Sequence, residues 1–169
     1  EAFGYGIREA IREGYLSPIV QRTIECADLD LSDVKTVAGD LAQGALEKAM
    51  TLDAVLHQVA KPLVDSAGDR STIVFTAGVE QAHAMVDVMA GYTDAKCAAI
   101  DGTTPDDIRA RRLASFARGE LQYLFNCAVL TEGFDAPRTS CIAVARPTKS
   151  RALYTQMIGR GTRLFAGKT

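Results

Sequence analysis

The chain has 169 residues, of which 47% are hydrophobic and 24% charged, so it can bury one core of ordinary size. This composition excludes a disordered tail, a collagen-like repeat and a small disulfide scaffold. No window holds the roughly 18 to 20 apolar residues that a bilayer span needs, and the start lacks a signal-peptide layout. We therefore expect a cytoplasmic protein that has no membrane partner.

The net charge of −2 is distributed unevenly along the chain. Residues 1–104 carry 8 basic and 16 acidic side chains, whereas residues 105–169 carry 11 basic and 5 acidic ones. A basic last part favours an anion site there, and a solvated surface of unequal charge explains it equally well. The four cysteines are far apart and only two histidines accompany them, so we expect buried reduced thiols and no metal site.

The first 70 residues are predicted to form a connector and a helical segment. The pattern indicates a helix from Ile7 to Glu13, a strand from Ile19 to Cys26, and helices from Leu41 to Met50 and from Leu52 to Asp65. Thr51 is a candidate cap between the last two. We expect this segment to pack on the rest of the chain rather than fold alone.

From residue 71 onward, strands and helices alternate. The predicted strands are Thr72 to Phe75, Lys96 to Ile100, Leu121 to Val129 and Cys141 to Ala145. The predicted helices run from Val79 to Met89, from Pro105 to Arg118 and from Arg151 to Ile158. In the second of these, Thr104 is the predicted N-cap, Pro105 is the first helical residue, and Gly119 follows the end. This alternation predicts an α/β fold with a parallel sheet, helices on both faces, and function in the loops after the strands.

Two polar segments carry candidate chemistry. Arg160 and Arg163 lie three residues apart, so their guanidinium groups can converge on one polyanion, as in phosphoryl transfer. Gly133 and Asp135 follow a strand, where a carboxylate can accept hydrogen bonds from ribose hydroxyls or pair with an arginine. If each segment is considered alone, a structural explanation is available for it: a surface turn with solvated arginines for the first, and an ordinary acidic turn for the second.

Taken in order, the segments resemble the second RecA-like domain of superfamily 2 helicases and translocases over residues 70–165. The pattern Gln156-x-x-Gly159-Arg160-x-x-Arg163 is similar to helicase motif VI, and Gly133-Phe134-Asp135-Ala136-Pro137 to motif V. Ile73-Val74-Phe75-Thr76 is similar to motif IV, and Asp101-Gly102 with Arg109 to motif IVa. Within the superfamily, the chain most resembles type I and type III restriction-enzyme motors and related DEAD/DEAH-like bacterial or phage DNA helicases.

The resemblance implies a role for each matching residue. Arg163 would be an arginine finger at the γ-phosphate of ATP and Arg160 would assist it, while Gln156, Gly159, Gly133 and Asp135 would serve the nucleotide side of the cleft. Thr76, Arg109 and Thr131 would hold the phosphates of one nucleic-acid strand. Gln156 stands where DEAD-box proteins have a histidine, which argues against a DEAD-box RNA helicase. The resemblance to the DNA-helicase branch implies DNA rather than RNA.

Gly167-Lys168-Thr169 resembles the end of a P-loop, but it lacks the glycine that a P-loop needs five residues earlier. The sequence also contains no acidic motif of the kind that binds magnesium at the end of a strand. The resemblance therefore implies that ATP and Mg²⁺ are held mainly by a first RecA-like motor domain preceding Glu1. It implies a connector over residues 1–70 and a RecA-like domain over 71–169, truncated at its end. The fragment alone is expected to be inactive, and nuclease or methyltransferase subunits are candidate partners.

A second hypothesis comes from a different functional class. A RecA-like domain can keep its fold and serve as a non-catalytic docking module for nucleic acid or protein. The intact residues Arg160, Arg163, Gly133 and Asp135 argue against this alternative.

Overall fold

The computed structural model describes residues 6–130 and 136–165. In chain order the elements are α1 (Ile7–Arg12), β1 (Thr36–Val37), β2 (Asp40–Leu41), α2 (Gln43–Met50), α3 (Asp53–Ala67), β3 (Thr72–Thr76), α4 (Val79–Met89), β4 (Cys97–Ile100), α5 (Asp106–Arg118), β5 (Tyr123–Asn126), β6 (Cys141–Ala145) and α6 (Arg151–Gly159). The helices predicted from the hydrophobic period are therefore present, with ends shifted by a few residues.

The four main strands form one parallel sheet in the order β4-β5-β3-β6. Strand β3 is central and buried at every position, which agrees with its short run of apolar and β-branched residues. The third strand is shorter than predicted, because pairing is limited to Tyr123–Asn126 within the apolar run. The α/β prediction of a parallel sheet is confirmed.

Helices cover both faces of this sheet. On one face α2, α3 and α4 pack against the inward side chains of the strands, through Leu46, Val55, Met85, Val74 and Phe125 among others. On the other face α5 and α6 contribute Phe116 and Met157 to a second apolar cluster with Ile73, Phe75 and Leu124. Because α2 and α3 share a core with the strands, the expected packing of the helical segment on the sheet is confirmed.

The connector differs from its predicted structure. Residues 17–26 form no helix, strand, turn or bend, so the strand predicted from Ile19 to Cys26 is wrong as a paired element. The structure also contains a two-residue antiparallel pair that was not predicted, between β1 and β2, in which Thr36 pairs with Leu41. Strand pairing needs a neighbouring strand, and the apolar pattern of residues 19–26 does not report whether one is present.

Thr51 is a cap between α2 and α3, as predicted: it ends α2, and its hydroxyl donates to the carbonyls of Glu47 and Lys48. The start of α5 differs from its prediction. Helix α5 begins at Asp106 with Pro105 as its cap residue, one position later than predicted. The Thr104 hydroxyl instead accepts a hydrogen bond from the Asp101 amide, at 3.0 Å, which closes the preceding turn.

Gly119 ends α5 in the left-handed conformation, with φ at 78°. We expect Gly119→Ala to lower the free energy of unfolding by about 1 to 2 kcal/mol, because an L residue is strained at this φ. Gly102→Ala is the matched control, since Gly102 has no positive φ and a methyl group there meets open space. Urea denaturation of both variants checks this, and equal stability of the two would contradict the assignment.

No helix in the described ranges is long and apolar enough to cross a membrane. All four cysteines are unpaired thiols; Cys127 is buried and the other three are partly buried. Burial raises the pKa of Cys97 to about 11 and also raises the pKa of Cys127, so both are poor nucleophiles at neutral pH.

Candidate functional site

The carboxyl ends of β3 and β5 are tied together by polar side chains. Thr76 is buried, and its hydroxyl lies 3.1 Å from the Gly78 carbonyl and 3.0 Å from the Asn126 carbonyl, to which it can donate. Asn126 is also buried and donates from Nδ2 to the Val74 carbonyl at 3.1 Å. The assignment of Thr76 to a nucleic-acid track stays a prediction, and in this structure its hydroxyl is engaged within the protein.

Gln81 fixes the loop between β3 and α4. Its side chain is fully buried, with Oε1 accepting from the Ala77 amide at 2.6 Å and Nε2 donating to the Ala145 carbonyl at 2.9 Å. One amide group therefore satisfies a loop N–H and the last carbonyl of β6. It links the ends of two neighbouring strands at the edge where ligands bind in parallel sheets.

The first turn of α4 is capped by a side chain from α2. Glu47 Oε1 accepts from the Glu80 amide at 2.8 Å, and its carboxylate occupies the space that a side chain at Gly78 would need. A carboxylate at a helix N-terminus pairs with free amides and with the positive end of the helix dipole. A methyl group at Gly78 would therefore displace the Glu47 carboxylate from this position.

Asp101 organises the loop that follows β4. It is buried, and its carboxylate accepts from the Thr103 amide at 2.7 Å, from the Thr103 hydroxyl at 2.6 Å and from His83 Nε2 at 2.9 Å. Burial alone would raise the pKa of Asp101, but the hydrogen bonds from Thr103 and His83 outweigh it and hold the pKa well below its usual range. This carboxylate orients His83, which lies 18 residues earlier in the chain.

Because the pKa of Asp101 is depressed in the folded state, its carboxylate stabilises the fold above its unfolded value of about 4 and loses that contribution as the pH falls below it. We expect the difference in unfolding free energy between the wild type and Asp101→Asn to shrink from about pH 5 to about pH 2.5. Denaturation at several pH values measures it. A difference that stays constant over this window would show that Asp101 is not held ionised.

Arg109 braces the same loop from α5. Its Nη2 donates to the carbonyls of Asp101 at 3.2 Å and Thr104 at 3.0 Å, and its Nη1 lies 3.2 Å from Asp106. The Nε–H is buried and, among the residues that the structure describes, has no hydrogen-bond partner. Asp101 and Arg109, which the resemblance places in one motif, are therefore in contact, and a phosphate contact by Arg109 stays a prediction.

The loop between β6 and α6 is held by the short β1–β2 pair. Asp40 accepts from Arg146 Nη2 at 3.2 Å, from the Thr148 hydroxyl at 2.9 Å and from the Lys149 amide at 2.7 Å. Burial alone would raise the pKa of Asp40, but these contacts hold it below its usual value. Lys149 Nζ donates to the Thr36 hydroxyl at 2.7 Å, so this lysine is engaged within the protein.

Arg160 and Arg163 lie on a tight turn that follows α6. The amides of Arg160, Gly161 and Thr162 each donate to the carbonyl three residues earlier, and the buried Thr162 hydroxyl donates to the Gly159 carbonyl at 2.9 Å. Ser17 from the connector donates its amide to the Thr162 carbonyl at 2.7 Å and its hydroxyl to the Arg163 carbonyl at 3.3 Å. The backbone around both arginines is therefore held by hydrogen bonds within the turn and by hydrogen bonds from Ser17.

The structure separates the predicted site residues into two groups. Gly161 packs against Ile142 near the start of β6, so the arginine turn lies beside the amino half of this edge strand. Thr76 and Arg109 instead flank the carboxyl ends of the strands. Gln156 is exposed on α6, and Gly159 is its last residue. Thr131, Gly133 and Asp135 lie outside the described residues.

The functional contacts that sequence reasoning missed join distant parts of the chain. These are Glu47 at α4, Asp101 with His83, and Asp40 with the loop after β6. The partners are 18 to more than 100 residues apart, and no spacing rule connects them. The only sequence signal was the placement of Asp101 and Arg146 directly after strands.

The chain is similar in sequence to two curated yeast proteins. The chain is 34% identical to the putative ATP-dependent helicase IRC3 of Saccharomyces cerevisiae, over 96% of this chain and 24% of that protein. It is 36% identical to the putative mitochondrial ATP-dependent helicase irc3 of Schizosaccharomyces pombe, over 83% of this chain and 23% of that protein. The chain therefore spans about a quarter of the length of these curated relatives.

Solved structures agree on the fold. Dbp5 of S. cerevisiae, bound to RNA and ADP BeF3, is 22% identical with a TM-score of 0.56, covering 63% of this chain and 29% of that one. The C-terminal domain of the DEAD-box protein Dbp5 has a TM-score of 0.58 at 24% identity, covering 70% of this chain and 68% of that one. The family described as helicase conserved C-terminal domain matches residues 47–164. Because this match covers more than half of the chain and the fold is RecA-like, the chain belongs to the helicase conserved C-terminal domain family.

Proposed function

We propose that this chain is the second motor domain of an ATP-dependent helicase or translocase that acts on nucleic acid, with DNA favoured over RNA. The observation that carries the proposal is the clamped turn bearing Arg160 and Arg163 in a domain of the helicase C-terminal family. Two relatives named as ATP-dependent helicases support it. The restriction-enzyme branch and the nuclease or methyltransferase partners stay predictions.

In this proposal ATP and Mg²⁺ are held mainly by the other motor domain, and this chain supplies guanidinium groups. The donor set fits that task, since a guanidinium is always charged and offers a planar fork that matches phosphate oxygens. Arg163 is exposed at the end of the turn while its backbone is fixed by Ser17. A fixed backbone limits the positions that the guanidinium can reach, which favours transition-state stabilisation over nonspecific attraction.

The carboxyl edge of the sheet would serve the nucleic acid. Here the loop after β4 is braced, because Thr103 donates to the Asp101 carboxylate and Arg109 donates to the Asp101 carbonyl. A braced polar edge suits contacts with successive phosphates, which are independent of sequence and weaken with added salt. Its separation from the arginine turn agrees with a motor in which nucleotide and nucleic acid occupy different surfaces of one domain.

ATP-driven displacement of strands tests the proposal. The longer protein is incubated with a DNA duplex carrying a single-stranded tail, with an RNA equivalent, and with a DNA triplex whose third strand leaves when a translocase passes. We expect ATP-dependent release from at least one substrate and none with ADP. Binding of every substrate without ATP-dependent release would instead favour the docking module.

A further inference from the structure

The connector segment, residues 18–26, is an unusual piece of this structure. Residues 18–25 are all exposed, and the segment has no turn, bend or strand pairing. None of the backbone hydrogen bonds found among the described residues uses an amide or carbonyl of residues 18–25. These eight consecutive residues thus present their backbone polar groups to solvent, which is rare inside a folded domain.

The side chains of this segment are suited to a sheet. Val20 is 85% exposed, and Ile19 and Ile24 are 45% and 42% exposed. β-Branched residues at these positions favour a strand, which is the reason that the sequence predicted one here. An exposed apolar strand with unpaired backbone is a template for pairing, and native proteins usually cover such an element.

Both ends of the segment are fixed to the domain. Ser17 bonds to the carbonyls of Thr162 and Arg163 at the arginine turn. At the other end the Asp28 amide donates to Gln58 Oε1 on α3, and the Gln58 amide donates back to the Asp28 carboxylate. The segment is therefore held at two points and exposed between them, which lowers the entropy that pairing would cost.

We infer that the connector segment adds as a strand to the edge of the β-sheet of the first motor domain. This inference rests on the proposed function, in which the arginine turn faces that domain. The segment starts at the turn, so it begins at the boundary that the two domains would share. The relatives are about four times as long as this chain, which leaves ample sequence for a partner with its own sheet. Strand addition would pair every second free amide of the segment and bury Val20 or its neighbours.

Hydrogen exchange in the longer protein tests this inference. We expect alternate amides within residues 19–25, those that face the neighbouring strand, to exchange at least about 100-fold more slowly than intrinsic rates, although the domain alone leaves them exposed. Protection that disappears when the protein is diluted to a monomer would mean pairing between two copies and would overturn the inference. Exchange near intrinsic rates in a folded monomer would also overturn it.

Proline substitution at two adjacent positions sharpens the test. Along a strand, alternate amides face the same neighbour, so only one of Arg22→Pro and Thr23→Pro removes a pairing donor. We expect that variant to abolish the protection of neighbouring amides and the other to reduce it less, while Arg22→Ala and Thr23→Ala retain it. Equal effects of all four variants would contradict strand pairing.

ATP turnover measured on the same samples separates this inference from the proposed function. Stimulated turnover with unprotected amides refutes strand addition and leaves the motor proposal intact. Protected amides without turnover on any nucleic acid support strand addition and refute the motor proposal.

Discussion

Arg163→Ala is expected to lower nucleic-acid-stimulated ATP hydrolysis by the longer protein by about 10³-fold or more. Negative charge accumulates on the phosphate oxygens as the γ-phosphoryl group leaves, and a guanidinium held at that position stabilises it. Arg163 is not one of the residues assigned to the nucleic-acid track, which are Thr76, Arg109 and Thr131, so the loss is expected in kcat with little change in nucleic-acid affinity. Steady-state turnover with saturating nucleic acid, and binding of a labelled oligonucleotide, measure the two quantities.

Two further variants make this result specific. Arg163→Lys keeps the charge and loses the planar fork, so its turnover is expected to stay well below that of the wild type. Arg118→Ala removes an exposed arginine at the end of α5, where it pairs with Glu120, and is expected to leave turnover unchanged. Wild-type turnover by Arg163→Ala would refute the assignment of Arg163 as the arginine finger. An equal loss of turnover in Arg118→Ala would show that the loss comes from removing any positive charge and is not specific to Arg163.

Gln81→Ala is expected to lower the free energy of unfolding by about 2 to 4 kcal/mol, which is a large loss for one polar side chain. The change leaves the buried Ala77 amide and the Ala145 carbonyl without partners and opens a cavity. Denaturant unfolding, followed by circular dichroism, measures the loss.

A matched pair of controls separates the causes of that loss. Gln81→Met fills most of the volume and still removes both hydrogen bonds, so it isolates the unsatisfied groups. Gln43→Ala replaces an exposed glutamine at the start of α2 and is expected to change stability by less than about 0.5 kcal/mol. Full stability of Gln81→Met would show that packing, rather than hydrogen bonding, holds the ends of β3 and β6.

The sheet and its helices could be predicted because their signals are local. Strand β6 and helix α4 have the bounds expected from the apolar pattern. Apolar residues that are adjacent in a short strand, or three to four positions apart in an amphipathic helix, can be recognised directly in the sequence. Residues 19–26 carry the same local signal as a strand, yet within the described ranges they pair with no other strand. Thr104 has the chemistry of a cap, but its hydroxyl is used by the Asp101 turn.

The candidate site was predicted as an ordered set of motifs, and only part of its geometry follows from that order. The three-residue spacing of Arg160 and Arg163 predicted that their guanidinium groups can converge on one polyanion, and this stays a prediction; the structure places both residues at the end of α6 and the turn after it. The clamp by Ser17 and the bonds from Asp40 to the loop after β6 join residues more than 100 positions apart, so only the fold reveals them. The predicted roles of Gly133, Asp135 and Thr131 concern residues outside the described ranges and stay predictions.

The central claim is that ATP is hydrolysed at a site to which this chain contributes the arginines and another domain contributes the phosphate cradle. The most direct measurement compares ATP turnover by the longer protein, with and without single-stranded DNA, duplex DNA and RNA, with turnover by the 169-residue chain, whose folding is checked by circular dichroism. We predict stimulated turnover by the longer protein and none by the chain. Turnover by the chain alone, or none by a folded longer protein with any polymer, would contradict the claim.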